Sequence, residues 1–141
     1  MSSAVKLPCY CATLRQATRA LTVLYDRHLS SAGIKATQFA ILQSLEFLGQ
    51  ARNRDLESAL AMDQTTLSRN LALLARDKLI AVVDRPSGRE KAWGLTAQGT
   101  DVMATAKPLW EQAQAEIRSR LGARQTRALH SDVFDLVNSI T

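Results

Sequence analysis

Residues 63–99 constrain the fold of this 141-residue chain more than any other stretch, because they join a short capped helix directly to a basic hairpin. From Leu67 the apolar residues recur at Leu71 and Leu74, which places one apolar stripe along a helix of about four turns. Asp63 stands just before this helix, where a carboxylate accepts hydrogen bonds from the unpaired amides of the first turn. The opposite face carries short or forked polar side chains, namely Gln64, Thr65, Thr66, Ser68 and Arg69. Side chains of this kind suit base edges and phosphates.

A second short helix precedes this one. Residues 55–60 carry Leu56 and Leu60 on one side of a helix, and only Ala61 and Met62 connect it to the capped helix. Two short helices joined so closely form a helix-turn-helix. Many small helical domains use such a pair for packing alone, so the pair by itself leaves the function open.

A basic hairpin follows the capped helix. Residues 79–83 form an apolar, partly β-branched run, the Pro-Ser-Gly of residues 86–88 favours a turn, and residues 91–95 resume an extended pattern. Three cations cluster about the turn, namely Arg85, Arg89 and Lys91. An arginine at such a tip suits a DNA minor groove, where the negative potential is concentrated. The alternative is a solvated surface hairpin.

This order of parts resembles the winged helix-turn-helix core of the MarR family of bacterial transcription regulators. The resemblance is carried by Leu56, Leu60, the run Asp63-Gln-Thr-Thr-Leu-Ser-Arg69, Leu74, Leu79-Ile80, Asp84-Arg85, Arg89, Leu95-Thr96 and Gly99. Family members often carry an Asp two residues before the wing arginine. Ser87 occupies that position here, and Asp84 is the candidate for the carboxylate that orients Arg89. The resemblance implies a mainly α fold with a small β hairpin, in which residues 37–96 bind DNA.

The composition fits one compact domain over residues 1–141. With 46% hydrophobic and 22% charged residues the chain can bury one core, and a net charge of +5 favours a polyanionic partner. Residues 1–6 lack the apolar run of a secretory signal, and no apolar stretch reaches membrane-spanning length. We therefore expect a cytoplasmic protein without a membrane partner, whose thiols are normally reduced.

Further helices are predicted on both sides of this core. A first helix is expected over residues 8–31, and Thr37 is expected to cap a second. Thr96 is predicted to cap a long helix, which Pro108 should kink or break, and Gly122 separates that helix from the last one.

The outer helices carry more apolar side chain than one small winged domain can cover, which favours a homodimer. The MarR resemblance implies the same, with residues 8–31 and 97–141 as the dimerisation helices. The alternative is a compact monomer whose ends fold back on the core. A two-fold axis would place two recognition helices about 34 Å apart and favour a palindromic operator.

Two cysteines, Cys9 and Cys11, lie near the start of the first helix. Helical positions two apart point about 200° away from each other, which disfavours a bridge between them. The spacing of Cys11, Arg19 and Tyr25 is similar to that of the organic-hydroperoxide-sensing branch of the MarR family, in which an oxidised Cys releases DNA. A Cys beside unpaired helix amides favours the thiolate that peroxide attacks. That branch also uses a Tyr from the following helix, a position occupied here by Ala36. The alternative is two small buried residues at a helix start.

MarR-like dimers also often hold aromatic acids or phenols in a cleft between the dimer helices and the DNA-binding region. The candidate lining residues here are Arg19, Leu21, Tyr25, Phe39 and Trp110. The alternative is that these side chains belong to the ordinary core.

These patterns favour a homodimeric, sequence-specific DNA-binding regulator, most simply a repressor, which is released by thiol oxidation at Cys11 or by a small aromatic ligand. Arg52 or Arg54 is expected to touch a phosphate near the start of the first helix of the pair. The chain lacks a glycine-rich phosphate loop, a metal-ligand set and a nucleophile motif, so we expect no enzymatic activity, cofactor or metal. The alternatives are a thiol-dependent peroxidase and a helix-turn-helix that docks proteins.

Overall fold

The computed structural model describes residues 3–83 and 91–141, which are mainly helical with a small antiparallel sheet. The helices are α1 (Tyr10–Leu29), α2 (Ala36–Leu48), α3 (Asn53–Leu60), α4 (Gln64–Arg76), α5 (Ala97–Leu121) and α6 (Ala123–Ile140), with a 3-10 turn at Ser30–Ala32. The strands are β1 (Ala51–Arg52), β2 (Ile80–Val83) and β3 (Ala92–Leu95). This arrangement is a winged helix-turn-helix fold with long helices at both ends of the chain.

The predicted helix-turn-helix is confirmed as α3 and α4. Ala61 ends α3 in the left-handed conformation with φ of 51°, which turns the chain sharply. The predicted cap of α4 is also confirmed, because Asp63 Oδ1 accepts a hydrogen bond of 2.8 Å from the backbone amide of Thr66. The predicted leucine stripe of α4 is buried, at Leu67, Leu71 and Leu74.

The sheet has the order β1-β3-β2, with both pairs antiparallel. The two predicted hairpin strands are confirmed, and they pair in the register Ile80 with Leu95. The prediction missed β1, which pairs Ala51 with Trp93 on the other side of β3. A strand of two residues is too short to show the alternation by which strands are recognised.

The core lies between the helix pair, α2 and the beginning of α5. Its largest fully buried side chains are Leu29, Ile41, Leu42, Leu45, Leu56, Leu67, Leu71, Leu74, Ile80 and Met103. Phe39 is buried against this core and stacks on Trp110, with ring centroids 5.8 Å apart. Leucine and isoleucine side chains from four helices and the sheet therefore hold α3 and α4 in place.

Three predictions about helix bounds require correction. The first helix is shorter than residues 8–31, and Thr37 does not cap α2, which begins one residue earlier. Asp26 of α1 explains this start, because its Oδ1 accepts a hydrogen bond of 2.7 Å from the backbone amide of Ala36. The break predicted at Pro108 is wrong, because α5 is continuous from Ala97 to Leu121, and the alternative of a kink stays a prediction. Pro108 removes the amide that would bond to residue 104, and both positions are exposed, so water can satisfy that carbonyl.

No helix among residues 3–83 and 91–141 is both long and apolar enough to cross a lipid bilayer.

Candidate nucleic-acid interface

The start of α4 presents the predicted polar face to solvent. Gln64, Thr65, Ser68 and Arg69 are all exposed. Thr66 differs from them, because it is half-buried and its hydroxyl donates a hydrogen bond of 2.8 Å to Asp63 Oδ2. Hydrogen bonds from the Thr66 amide and then its hydroxyl lower the pKa of Asp63. Thr66 therefore belongs to the cap that holds the first turn rigid, while its neighbours face outward.

An open cleft of about 350 Å³ lies beside this exposed turn. It is lined by the last residue of β1, three residues of α3, the first residue of α4 and the residue that precedes β3, namely Arg52, Asn53, Arg54, Glu57, Gln64 and Lys91. The structure thus brings together four residues that the sequence analysis named as DNA contacts. Three cations and one carboxylate around an open cleft suit an anionic ligand such as a phosphate.

Arg52 is held within this cleft by Asp55. The Asp55 carboxylate accepts hydrogen bonds from Arg52 Nε at 2.9 Å and from Arg52 Nη2 at 3.0 Å. It also accepts one of 2.9 Å from the Arg52 backbone amide, which caps α3. The guanidinium hydrogen bonds, followed by the backbone one, lower the pKa of Asp55 from 3.8 to about 2. Asp55 was missed by the sequence analysis, although an acidic residue three positions after a helix cap is a recognisable signal.

The predicted wing contacts Arg85 and Arg89 lie outside the described residues, as do Asp84 and Ser87. Lys91, the third wing cation, is described and is exposed at the entrance to β3.

The cysteines are not buried, which contradicts the alternative that they are two small buried residues at a helix start. Cys9 and Cys11 are exposed and unbridged. Cys9 is the cap residue of α1 and has extended φ and ψ angles of −81° and 118°, so the separation expected of two helical positions does not apply to this pair. Tyr25 lies fourteen residues after Cys11 on the same helix, which is about 21 Å at 1.5 Å per residue. Tyr25 therefore cannot contact the thiol of its own chain.

The structure divides the predicted ligand-binding residues among three places. Leu21 and Tyr25 line an apolar groove of about 530 Å³ between α1, α5 and α6. Phe39 and Trp110 instead pack with the core, and Arg19 is exposed outside this groove. In the single chain the five residues therefore do not line one pocket. Residues of the groove and of the core could not be told apart in the sequence, because both recur at helical spacing.

The polar part of this groove was not predicted. The Tyr25 hydroxyl donates a hydrogen bond to Gln114 Oε1, and Arg118 lines the groove nearby. Burial raises the pKa of Tyr25, and the charge of Arg118 partly opposes this. The rest of the lining comes mainly from α6, namely Thr126, Arg127, Leu129, His130, Val133, Phe134 and Val137.

A second unpredicted cluster joins α1 to α5. Arg27 Nη2 donates to both oxygens of Glu116 at 2.8 Å, and His28 Nε2 lies 3.1 Å from Oε1. Arg120 Nε, one turn further along α5, lies 3.1 Å from Oε2. The hydrogen bond from His28, followed by that from Arg27, lowers the pKa of Glu116. This cluster fixes the end of α1 against α5.

Within the described residues, no group of three or more His, Cys, Asp or Glu is placed to hold a metal ion.

Comparison with known proteins gives a consistent set of structural relatives. No family model and no curated protein sequence matches the chain. Among solved structures, the M. tuberculosis transcriptional regulator MosR in complex with DNA is 33% identical, with a TM-score of 0.82 over 93% of this chain and 95% of that one. A mutant of E. coli MarR complexed with operator DNA is 20% identical, with a TM-score of 0.80 over 89% and 91% of the two chains. Bordetella bronchiseptica BpsR, whose DNA binding is regulated by 6-hydroxynicotinic acid, is 22% identical, with a TM-score of 0.83 over 97% and 99%.

Proposed function

Since this chain belongs to the MarR family of transcription regulators, we propose that it binds a palindromic DNA operator as a homodimer and represses transcription until a signal releases it. The observation that carries the proposal is the capped, exposed start of α4 beside a cation-lined cleft. The similarity to MosR, which was crystallised with DNA, supports it.

Each DNA-binding element has a separate role in this proposal. Gln64, Thr65, Ser68 and Arg69 read base edges in the major groove, while Thr66 keeps their turn in place through Asp63. Arg52, Arg54 and Lys91 contact the phosphate backbone beside that groove. Arg85 and Arg89 reach the neighbouring minor groove from the wing.

The terminal helices supply the homodimer interface. In the single chain α6 has no buried residue, and even its large apolar side chains are exposed, Phe134 at 62% and Ile140 at 75%. The groove beside it, lined by Leu21 and Tyr25 of α1, is mostly apolar. Contiguous apolar surface of this extent is unfavourable in water, and burial recovers about 25 cal/mol for each Å² covered. A second copy presents the same helices in return, as a two-fold interface requires.

The proposed dimer predicts a palindromic operator. A two-fold axis through the terminal helices repeats the exposed turn of α4 on the partner. Two such turns, about 34 Å apart, meet successive major grooves on one side of the duplex and read inverted half-sites.

The signal is thiol oxidation at Cys11 or a small aromatic ligand. Cys11 is exposed and follows Tyr10 directly in the chain. Tyr10 is 87% exposed in the single chain, and its aromatic ring suits a contact with a second copy. Oxidation of Cys11 adds a polar group, and Cys9, a cysteine of a second copy or a small thiol could resolve a sulfenic acid. An aromatic acid would instead use the apolar walls of the groove near Leu21 and Tyr25, with Arg118 for its carboxylate.

Selection of bound duplexes from a random pool tests this proposal. Reduced protein is expected to select an inverted repeat whose half-sites lie about 10 base pairs apart. The selection is repeated after mild peroxide treatment with Cys11→Ser as the control, and again with an aromatic acid such as salicylate. Recovery of no common sequence by the reduced protein contradicts sequence-specific binding, and a direct repeat contradicts two-fold symmetry.

A further inference from the structure

The residue before α3 and the first residue of its first turn are both attached to β3. Arg52 lies in β1, where it pairs with Ala92 of β3. Asn53, the next residue, accepts a hydrogen bond of 2.8 Å at Oδ1 from the indole nitrogen of Trp93 in the same strand. This turn therefore keeps a fixed position relative to the strand that Lys91 precedes.

Asp55 fixes the side chain of Arg52 within this frame. Its two oxygens face Nε and Nη2 of the guanidinium, a fork-to-fork geometry that sets the plane of the group as well as its position. The same carboxylate accepts a hydrogen bond from the Arg52 backbone amide, so the ion pair also caps the start of α3. Arg52 in turn lines the cleft between the first residue of α4 and Lys91.

We propose that Asp55 is a positioning residue for DNA binding, which holds the Arg52 guanidinium against a backbone phosphate between the groove read by α4 and the groove reached by the wing. The inference rests on the proposed function and adds a residue that makes no DNA contact itself. A carboxylate so near the DNA backbone repels it. Any gain in affinity that depends on Asp55 therefore passes through Arg52, which loses less side-chain freedom on binding when it is already held.

Glu57 provides a matched control, because its carboxylate lines the same cleft. Asp55→Asn and Glu57→Gln each remove one negative charge at nearly constant size. We expect Asp55→Asn to lower the affinity for the selected operator about fivefold. Glu57→Gln is expected to raise that affinity, since only a repulsion is lost.

A double-mutant cycle separates positioning from helix capping. In an Arg52→Gln background, Asp55→Asn is expected to cause no further loss of operator affinity. If Asp55 only caps α3, Asp55→Asn would instead lower the melting temperature both in the wild-type and in the Arg52→Gln background, while the folded protein would bind DNA normally. Arg52→Lys tests positioning in a second way. It keeps the positive charge and leaves Asp55 in place, but lysine cannot form the two parallel hydrogen bonds to the carboxylate. It should therefore lose as much operator affinity as Asp55→Asn.

Three results would overturn the inference: equal effects of Asp55→Asn and Glu57→Gln, a full loss on adding Asp55→Asn to Arg52→Gln, or wild-type affinity of Arg52→Lys. Failure of the wild-type protein to bind any selected duplex would overturn the proposed function instead, so the two failures are distinguishable.

Discussion

The hydroxyl of Thr96 donates a hydrogen bond of 2.6 Å to the carbonyl oxygen of Lys78 and accepts one of 3.0 Å from the backbone amide of Gly99. Thr96 caps α5, and Lys78 follows the end of α4 with a left-handed φ of 61°. One side chain therefore connects the end of the proposed recognition helix to the start of the long helix that leads to the proposed dimer interface.

Replacing Thr96 with valine removes both hydrogen bonds at nearly constant shape. Loss of the cap and of the bond to Lys78 is expected to lower the free energy of unfolding by about 1 to 2 kcal/mol. Urea denaturation measures this change. Thr100→Val is the control, since Thr100 is exposed on the same helix, and it should change the stability by less than about 0.5 kcal/mol. Equal stability of the two variants would contradict the connection.

Gly99→Ala tests the close approach of α5 to the segment after α4. A Cβ atom at Gly99 would lie 2.1 Å from the carbonyl oxygen of Leu79, a backbone atom that cannot turn aside. Alanine normally stabilises a helix relative to glycine by about 1 kcal/mol, but here overpacking is expected to destabilise the fold by about 1 to 3 kcal/mol. Gln98→Ala, at an exposed neighbour, controls for helix propensity in the same urea titration. A stabilising Gly99→Ala change would show that the helix moves away without cost.

Glu116 is expected to make part of the stability pH-dependent. Its hydrogen bonds from His28 and Arg27 place the folded-state pKa below the ordinary value of 4.5. The ionised carboxylate therefore stabilises the fold above about pH 4.5, and this contribution is lost as the pH falls through the folded-state pKa. Urea midpoints of the wild type and Glu116→Gln should differ near neutral pH and converge in acid.

Glu111→Gln is the control for that comparison, because Glu111 is exposed on the same helix and has no ion pair within the described residues. It should match the wild type at each pH. A difference between wild type and Glu116→Gln that stays constant down to about pH 3 would show that the carboxylate acts through packing rather than charge.

Local signals in the sequence were enough to predict the helix pair. The leucine stripe of α4 and the Asp63 cap depend only on residues within one helix, and both are confirmed. The start of α2 was predicted wrongly because the hydrogen bond of its first backbone amide is accepted by Asp26, which lies ten residues earlier on another helix. The same reason explains why Glu116 was missed, since its partners Arg27 and His28 meet it only when α1 packs on α5.

The candidate sites were predicted to different extents. Exposed polar residues on α4 were predictable because their opposite face is apolar. Phe39 and Trp110 could not be distinguished from groove residues, because helical spacing says that a side chain faces inward but not which neighbour it meets. The exposure of Cys9 and Cys11 depends on what covers the start of α1, which the sequence of one chain does not specify.

The proposed dimer interface is tested by a charge on α6. Phe134→Glu places a carboxylate on the exposed apolar surface that a second copy would cover, so the protein is expected to sediment as a monomer at micromolar concentration. Phe47→Glu is the control, because Phe47 is 88% exposed and lies on α2, which is not one of the proposed dimerisation helices, and it should leave the dimer intact. Dissociation by Phe47→Glu but not by Phe134→Glu would move the interface to α2.

The most direct test of the account compares wild-type protein and Arg69→Ala on the selected operator and on a shuffled duplex of the same composition. If the exposed turn of α4 reads bases, Arg69→Ala loses about 1 to 3 kcal/mol of binding free energy on the operator and much less on the shuffled duplex. An equal loss on both duplexes would reduce Arg69 to a phosphate contact. No loss on either would contradict the claim that this turn of α4 binds DNA.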